Sequence, residues 1–182
     1  LFIVYVCQVT KCLSVIKKPA GFVVLCLCLN PLFSQEVKNI TLDVQAIFGE
    51  QRFALDSIYP LEKDNTIKFE NFRFYISKIE LIKNNRSVWQ EEESFHLYDA
   101  SNSTHAIDLK VPAKLDFDKM KFYLGIDSIT NVSGAYGGDL DPTKGMYWTW
   151  QSGYVNFKLE GTSSLCSNPK KEFQLHLGGY QG

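Results

Sequence analysis

Residues 145–161 combine many aromatic side chains with a strand-like alternation, and this segment constrains the fold more than any other part of the chain. Two of the three tryptophans, Trp148 and Trp150, lie in the run Gly-Met-Tyr-Trp-Thr-Trp-Gln-Ser-Gly-Tyr. Successive side chains of a strand point to opposite faces, so Met146 shares one face with both tryptophans. So much apolar surface on one face is either a core wall or the lining of a site, and packing is the commoner use. The segment predicts a half-buried strand of a β-domain.

The same period-two alternation recurs along the chain, and no segment sustains a helical period. Turn-forming residues separate the alternating segments, as Asn84-Asn85 does, and residues 127–145 form a long loop rich in Gly, Asp, Asn and Ser. Many short strands with turns between them are typical of an antiparallel β-sandwich, so we predict an all-β fold, incomplete at its C-terminal end. The predicted strands cover residues 40–48, 66–69, 72–82, 87–90, 95–98, 107–111, 119–126, 146–159 and 172–177, and residues 51–58 are a strand or a loop.

The first 34 residues differ in kind from the rest of the chain. They hold three of the 19 basic residues, none of the 20 acidic residues and four of the five cysteines. Lys17-Lys18, an apolar stretch at residues 21–29 and then Pro-Leu-Phe-Ser follow the order of a secretory signal peptide, and the apolar stretch is too short to span a bilayer. We therefore expect residues 1–34 to be a leader, and residues 36–182 to be one secreted or periplasmic domain without a membrane span.

The composition of the exported part excludes several classes of function. Because the leader takes three basic residues and no acidic ones, the remainder carries a net charge of about −4, which argues against a nucleic-acid partner. Only Cys166 remains there, so neither a disulfide framework nor a thiolate metal cluster is expected. No nucleophile elbow, zinc-protease motif, phosphate loop or Cys-x-x-Cys motif occurs, and we expect no enzymatic activity.

The histidines are the candidate functional residues. The alternation around His96 and around His176 places each imidazole opposite the apolar neighbours of its strand, whereas His105 follows Ser-Thr in a loop and is expected to be solvated. If the two strands are neighbours, the imidazoles of His96 and His176 could meet. Neutral imidazole binds copper, zinc, iron and nickel. A site wall formed by Met146, Trp148 and Trp150 would favour Cu(I), which accepts soft or aromatic neighbours and a low coordination number.

An ordered set of short motifs resembles the MbnP-like domain family, whose members include periplasmic copper-binding proteins related to MopE, in the form found in Bacteroidetes-type bacteria. The resemblance covers roughly residues 38 to 182, and its Met-x-Trp-x-Trp-x-x-Gly-Tyr block is specific. The motifs lie at residues 72–77, 96–99, 124–127, 140–142, 146–154 and 176–178, with Asn131 between the third and the fourth.

The resemblance implies a secreted or periplasmic β-rich protein that binds copper, as Cu(I) in the family's manner, with His96 and His176 as ligands. It also implies an oxidised tryptophan, kynurenine, two residues before the first histidine, made by a di-haem peroxidase-like partner. In this chain Ser94 stands at that position. The alternative is a metal-free extracellular binding or adhesion module of the same fold, in which exposed aromatic side chains or the long loop contact a carbohydrate or a protein.

Overall fold

The computed structural model describes residues 2–12, 36–150 and 153–179, and the backbone alone for residues 2–12. The apolar part of the predicted signal peptide, residues 21–29, lies outside the described residues. The strands in chain order are β1 (Phe2–Cys12), β2 (Val37–Phe48), β3 (Gln51–Arg52), β4 (Ile58–Pro60), β5 (Thr66–Lys83), β6 (Arg86–Gln90), β7 (Phe95–Asp99), β8 (Ala106–Pro112), β9 (Lys119–Leu124), β10 (Tyr147–Trp148), β11 (Gly153–Ser163) and β12 (Glu172–Gly178).

The described strands form two antiparallel sheets. In sheet I, β2 pairs with β1, β3 and β8. In sheet II, β5 is the central strand: β4, β7 and β6 follow one another along one edge, and β11 and β9 lie along the other, with β12 outside β11. The all-β, sandwich-like architecture is the predicted one.

The main core lies between the two sheets and follows from the alternation of the strands. In sheet I, Ile40, Leu42 and Val44 of β2 are buried, each separated from the next by a less buried residue. Sheet II contributes Phe72 and Phe74 of β5, which are both 1% exposed. Aromatic pairs such as Phe74 and Tyr98, whose ring centroids are 4.6 Å apart, add to the packing. This core holds the strands that carry the histidines in a fixed register.

A second, smaller core lies on the opposite face of sheet II. Tyr75, Leu140, Met146, Tyr154 and Val155 are its buried members. The long segment between β9 and β10 covers it, and this segment contains a short helix, α1 (Ser128–Val132), and two single-turn 3-10 helices, Gly138–Leu140 and Pro142–Lys144. Sheet II is therefore covered on both faces where the second core lies.

Two details differ from the sequence-based expectation. Residues 66–69 and 72–82, predicted as two strands, belong to the single strand β5, because bulges let it change its pairing without ending. The predicted strand at residues 146–159 is divided into β10 and β11, which form a hairpin. Within the described part of the chain, no helix has the length and apolarity needed to cross a membrane.

Candidate metal centre

His96 projects from the face of sheet II that is turned toward sheet I. It pairs with Ile76 of β5, a core residue, and it borders the same cavity as Val44 of sheet I. Its neighbours Phe95 and Leu97 pack against the second core instead. His96 thus lies on the face opposite Phe95 and Leu97, as the sequence predicted. That face is not a polar surface, however, because it lies at the edge of the main core.

The imidazole of His96 is held by a carboxylate. Its Nε2 lies 2.8 Å from Oε2 of Glu91, and the same oxygen accepts a 2.5 Å hydrogen bond from the hydroxyl of Ser94. Ser94 is buried and its hydroxyl oxygen accepts the N–H of Ile79, which fixes the turn before β7 against β5. Because an ionised carboxylate can only accept, Nε2 carries the hydrogen and Nδ1 of the neutral ring is left with its lone pair. Among the described residues, Nδ1 has no hydrogen-bond partner.

His176 has the same type of partner on the other face of sheet II. It pairs with Lys158 of β11, and its Nε2 lies 2.8 Å from Oε1 of Glu160. Burial raises the pKa of Glu160, but hydrogen bonds from His176 and Asn71 outweigh it, so the net pKa lies below the ordinary value. Within the described ranges, Nδ1 of His176 also lacks a hydrogen-bond partner.

The structure does not bring His96 and His176 together. The strand order β7, β5, β11, β12 separates them by three inter-strand spacings, about 14 Å. His96 is on the face of core residue Ile76, whereas His176 is on the opposite face with Lys158 and Arg73. One ion needs its nitrogen ligands about 2 Å away, so it cannot bind both histidines of one chain in this arrangement.

His105 borders the same cavity as His96. Its backbone oxygen accepts the N–H of Val44, and its ring lies on Tyr98 with centroids 4.2 Å apart. The ring is partly buried rather than solvated, and burial lowers the pKa of His105 although the carboxylates of Asp43 and Asp99 oppose that shift. A neutral imidazole at this position can donate a lone pair at neutral pH.

The proposed site wall divides into a buried and an exposed part. Met146 is fully buried in the second core, whereas Trp150 is 77% exposed. Trp148 lies between them, with its ring centroid 5.6 Å from that of Trp150 and 6.4 Å from that of His176. Trp148 and Trp150 therefore lie on the His176 side of the sheet, not beside His96.

Each histidine by itself offers a metal one nitrogen donor, but the pair His96 and His176 cannot share an ion. Histidine ligands of metals usually donate the other ring N–H to a carboxylate, which fixes the tautomer and the ring orientation. Both His96 and His176 have this arrangement. No cluster of three or more His, Cys, Asp or Glu side chains able to hold a metal occurs in the described segments.

The carboxylate partners of His96 and His176 could not be identified from the sequence. Glu91 belongs to the acidic run at residues 91–93, which is most simply interpreted as a solvated turn, but its side chain is only 17% exposed. Its position five residues before His96, across a turn, is a weak signal for such a contact. Glu160 is 16 residues from His176, and only the strand register brings them together.

The MbnP family model matches residues 37–182, which include every strand from β2 to β12. No curated protein matches the chain, and no solved structure does. The match therefore extends over all of sheet II, over the strands of sheet I other than β1, and over both histidines with carboxylate partners.

Proposed function

The chain belongs to the MbnP family, and from this premise we propose that it is a secreted or periplasmic copper-binding protein, not an enzyme, that holds Cu(I) through imidazole nitrogen. The family match suggests a copper-related role. What this chain binds, and through which residues, is our proposal.

The arrangement of His96 and His176 with their carboxylates is the observation that carries the proposal. Each imidazole has one ring nitrogen 2.8 Å from a glutamate oxygen. Each other nitrogen is free of hydrogen-bond partners among the described residues and can bind a metal. Glu91 and Glu160 act as positioning residues: each carboxylate orients an imidazole ring through a hydrogen bond and is not itself a metal ligand.

The two histidines would differ as copper ligands. The two side chains are similarly exposed, 24% for His96 and 23% for His176, but His96 borders a partly open cavity between the sheets, while His176 lies on the opposite face beside Trp148. We therefore assign the tighter site to His96 and a weaker one to His176. Copper must compete with protons for neutral imidazole, so affinity should fall as the pH drops below about 6.5.

The test is anaerobic competition titration of Cu(I) against a chromophoric chelator. We expect His96→Ala to weaken the tighter binding at least a hundredfold and His176→Ala to remove only the weaker binding. Gln174→Ala is the matched control, because Gln174 shares the strand and the face of His176. If the parent protein does not compete for Cu(I), or if both histidine variants bind like the parent, the proposed function is wrong.

A partner is proposed from family resemblance alone. A di-haem peroxidase-like protein could oxidise a tryptophan of this chain, and with Ser94 at the expected position, Trp148 is the candidate because it is the tryptophan next to a histidine. Conversion to kynurenine adds about 4 Da, which mass spectrometry of the protein produced with and without such a partner would detect. An unchanged mass at Trp148 would exclude this modification.

A second candidate function rests on the tryptophan pair. Trp150 is 77% exposed and tilted by 41° against Trp148, which leaves aromatic surface open to a ligand. Such a surface suits the apolar face of a sugar ring or a protein side chain. Glycan-array binding that is independent of copper and lost in Trp150→Ala would favour a metal-free binding module over copper handling.

A further inference from the structure

We propose that His105 supplies the second nitrogen ligand of the copper ion at His96, so that the ion lies in the cavity between the two sheets. This inference rests on the proposed copper-binding function and refines its ligand set. It replaces the pair His96 and His176 with a pair that the fold places at one cavity.

A cavity between the two sheets brings both histidines to one place. It has a volume of about 90 Å³, and the histidines His96 and His105 both line it, along with the apolar side chains of Val44, Ile76 and Ile107. A void of this size is about 6 Å across, whereas two imidazole nitrogens bound to one ion lie about 4 Å apart. For a single ion to reach both rings, each must turn its free nitrogen into this cavity.

The positions of the two rings follow from the backbone. Residues two apart on a strand share a face, so His96 and Tyr98 of β7 point the same way. His105 lies on the ring of Tyr98, and its main chain is tied to β2 by the hydrogen bond from the Val44 N–H. One ligand thus comes from sheet II and the other from the segment that enters sheet I, and the closed sandwich holds them together.

The ring of His105 is suited to the role. In the part of the chain that the structure describes, neither of its nitrogens has a hydrogen-bond partner, although the ring is partly buried. A metal ion can therefore bind either nitrogen without a protein hydrogen bond being broken.

The walls of the cavity favour Cu(I) over ions that need more ligands. Asp139 also lines the cavity, but its two oxygens accept hydrogen bonds from the Leu97 N–H and the Lys144 ammonium. Tyr98 and Thr104 add hydroxyl groups to the lining, and the two imidazoles are the side chains there that offer nitrogen donors. Two nitrogen ligands satisfy Cu(I), whereas Zn²⁺ prefers four.

The experiment combines Cu(I) competition titration with X-ray absorption spectroscopy of the copper-loaded protein. In the parent and in His176→Ala, we expect two imidazoles per copper and equal affinity at the tighter site. In His105→Phe, which keeps a ring on Tyr98, we expect one imidazole and at least a hundredfold weaker binding. His105→Gln serves as a second variant, and thermal melting of the metal-free proteins checks that both fold.

The outcomes separate this inference from the proposed function. If His105→Phe and His105→Gln bind Cu(I) like the parent while His96→Ala does not, His105 is no ligand and the copper-binding function stands. If His176→Ala loses one of two imidazoles, the inference is also overturned. If His96→Ala binds like the parent, copper does not bind at this cavity and both proposals fail there.

Discussion

Replacing Gly161 with alanine should destabilise the protein strongly, because this residue marks the closest approach of β11 to β5. A Cβ atom at this position would overlap the carbonyl oxygen of Lys68 and lie 3.0 Å from Cα of Phe69. Both obstacles are backbone atoms of the central strand, so no side-chain rotation can relieve them. Gly161 pairs with Phe69 next to a register shift in the β5–β11 ladder, and the two strands must separate there to admit the methyl group.

The cost can be worked out from two contributions. Overpacking of a tight contact costs about 1–3 kcal/mol, and each backbone hydrogen bond lost from the ladder costs about 1 kcal/mol. The sum is about 3 kcal/mol, and a domain of this size loses about 2–4 °C in melting temperature per kcal/mol, or about 10 °C in all. This prediction depends on the β5–β11 register alone.

Thermal melting followed by circular dichroism measures the effect, with Gly137→Ala as the matched control. A Cβ added at Gly137 would meet nothing within 4 Å, and the φ of this residue is −94°, so its replacement should change stability by about 0.5 kcal/mol or less. If Gly161→Ala melts within about 2 °C of the parent, β11 does not pair with β5 in this register.

Three further predictions follow from the site. Glu91→Gln should weaken Cu(I) binding by about 10- to 100-fold in competition titration, because it removes the charge that orients His96; unchanged affinity would contradict the positioning role. The pKa of His105 is lowered in the folded state, so the unfolded chain binds more protons below pH 6.5, and the free energy of unfolding should fall as the pH drops through this range. Urea melts at pH 7.5 and 5.5 should show a smaller change for His105→Phe than for the parent. Gly178→Ala should displace the ring of Trp148, since the added Cβ would lie 2.5 Å from the carbonyl oxygen of Tyr154 and 2.8 Å from the Trp148 ring; an unaltered tryptophan fluorescence spectrum would refute this.

Much of the fold could be predicted from local patterns. The alternation of Ile40, Leu42 and Val44 identified β2 and its buried face, and the Asn84-Asn85 pair marked the β5–β6 turn, where both residues have positive φ. These signals are local because side-chain alternation and turn conformation depend on neighbouring residues. The bulges of β5 and the division between β10 and β11 depend on which strands pair with them, so the local sequence pattern did not predict them.

At the candidate site, the residue types could be predicted from the sequence, but their contacts could not. His96 and His176 were found by residue type and alternation, but their separation depends on the strand order β7, β5, β11, β12. The partner Glu160 became visible only through the register of β12 against β11. His105 could be assigned to a loop from its neighbours, yet its contact with Tyr98 joins elements from different sheets.

The amino-acid sequence by itself determined the strands, the burial of their apolar faces and the identity of the residues that can bind a metal, since period-two hydrophobicity and imidazole chemistry are properties of short segments. Only the tertiary structure decided which histidines border the same cavity. Strand order and register are set by packing between distant segments, and they place His96 with His105 at the cavity between the sheets and His176 with Trp148 on the opposite face.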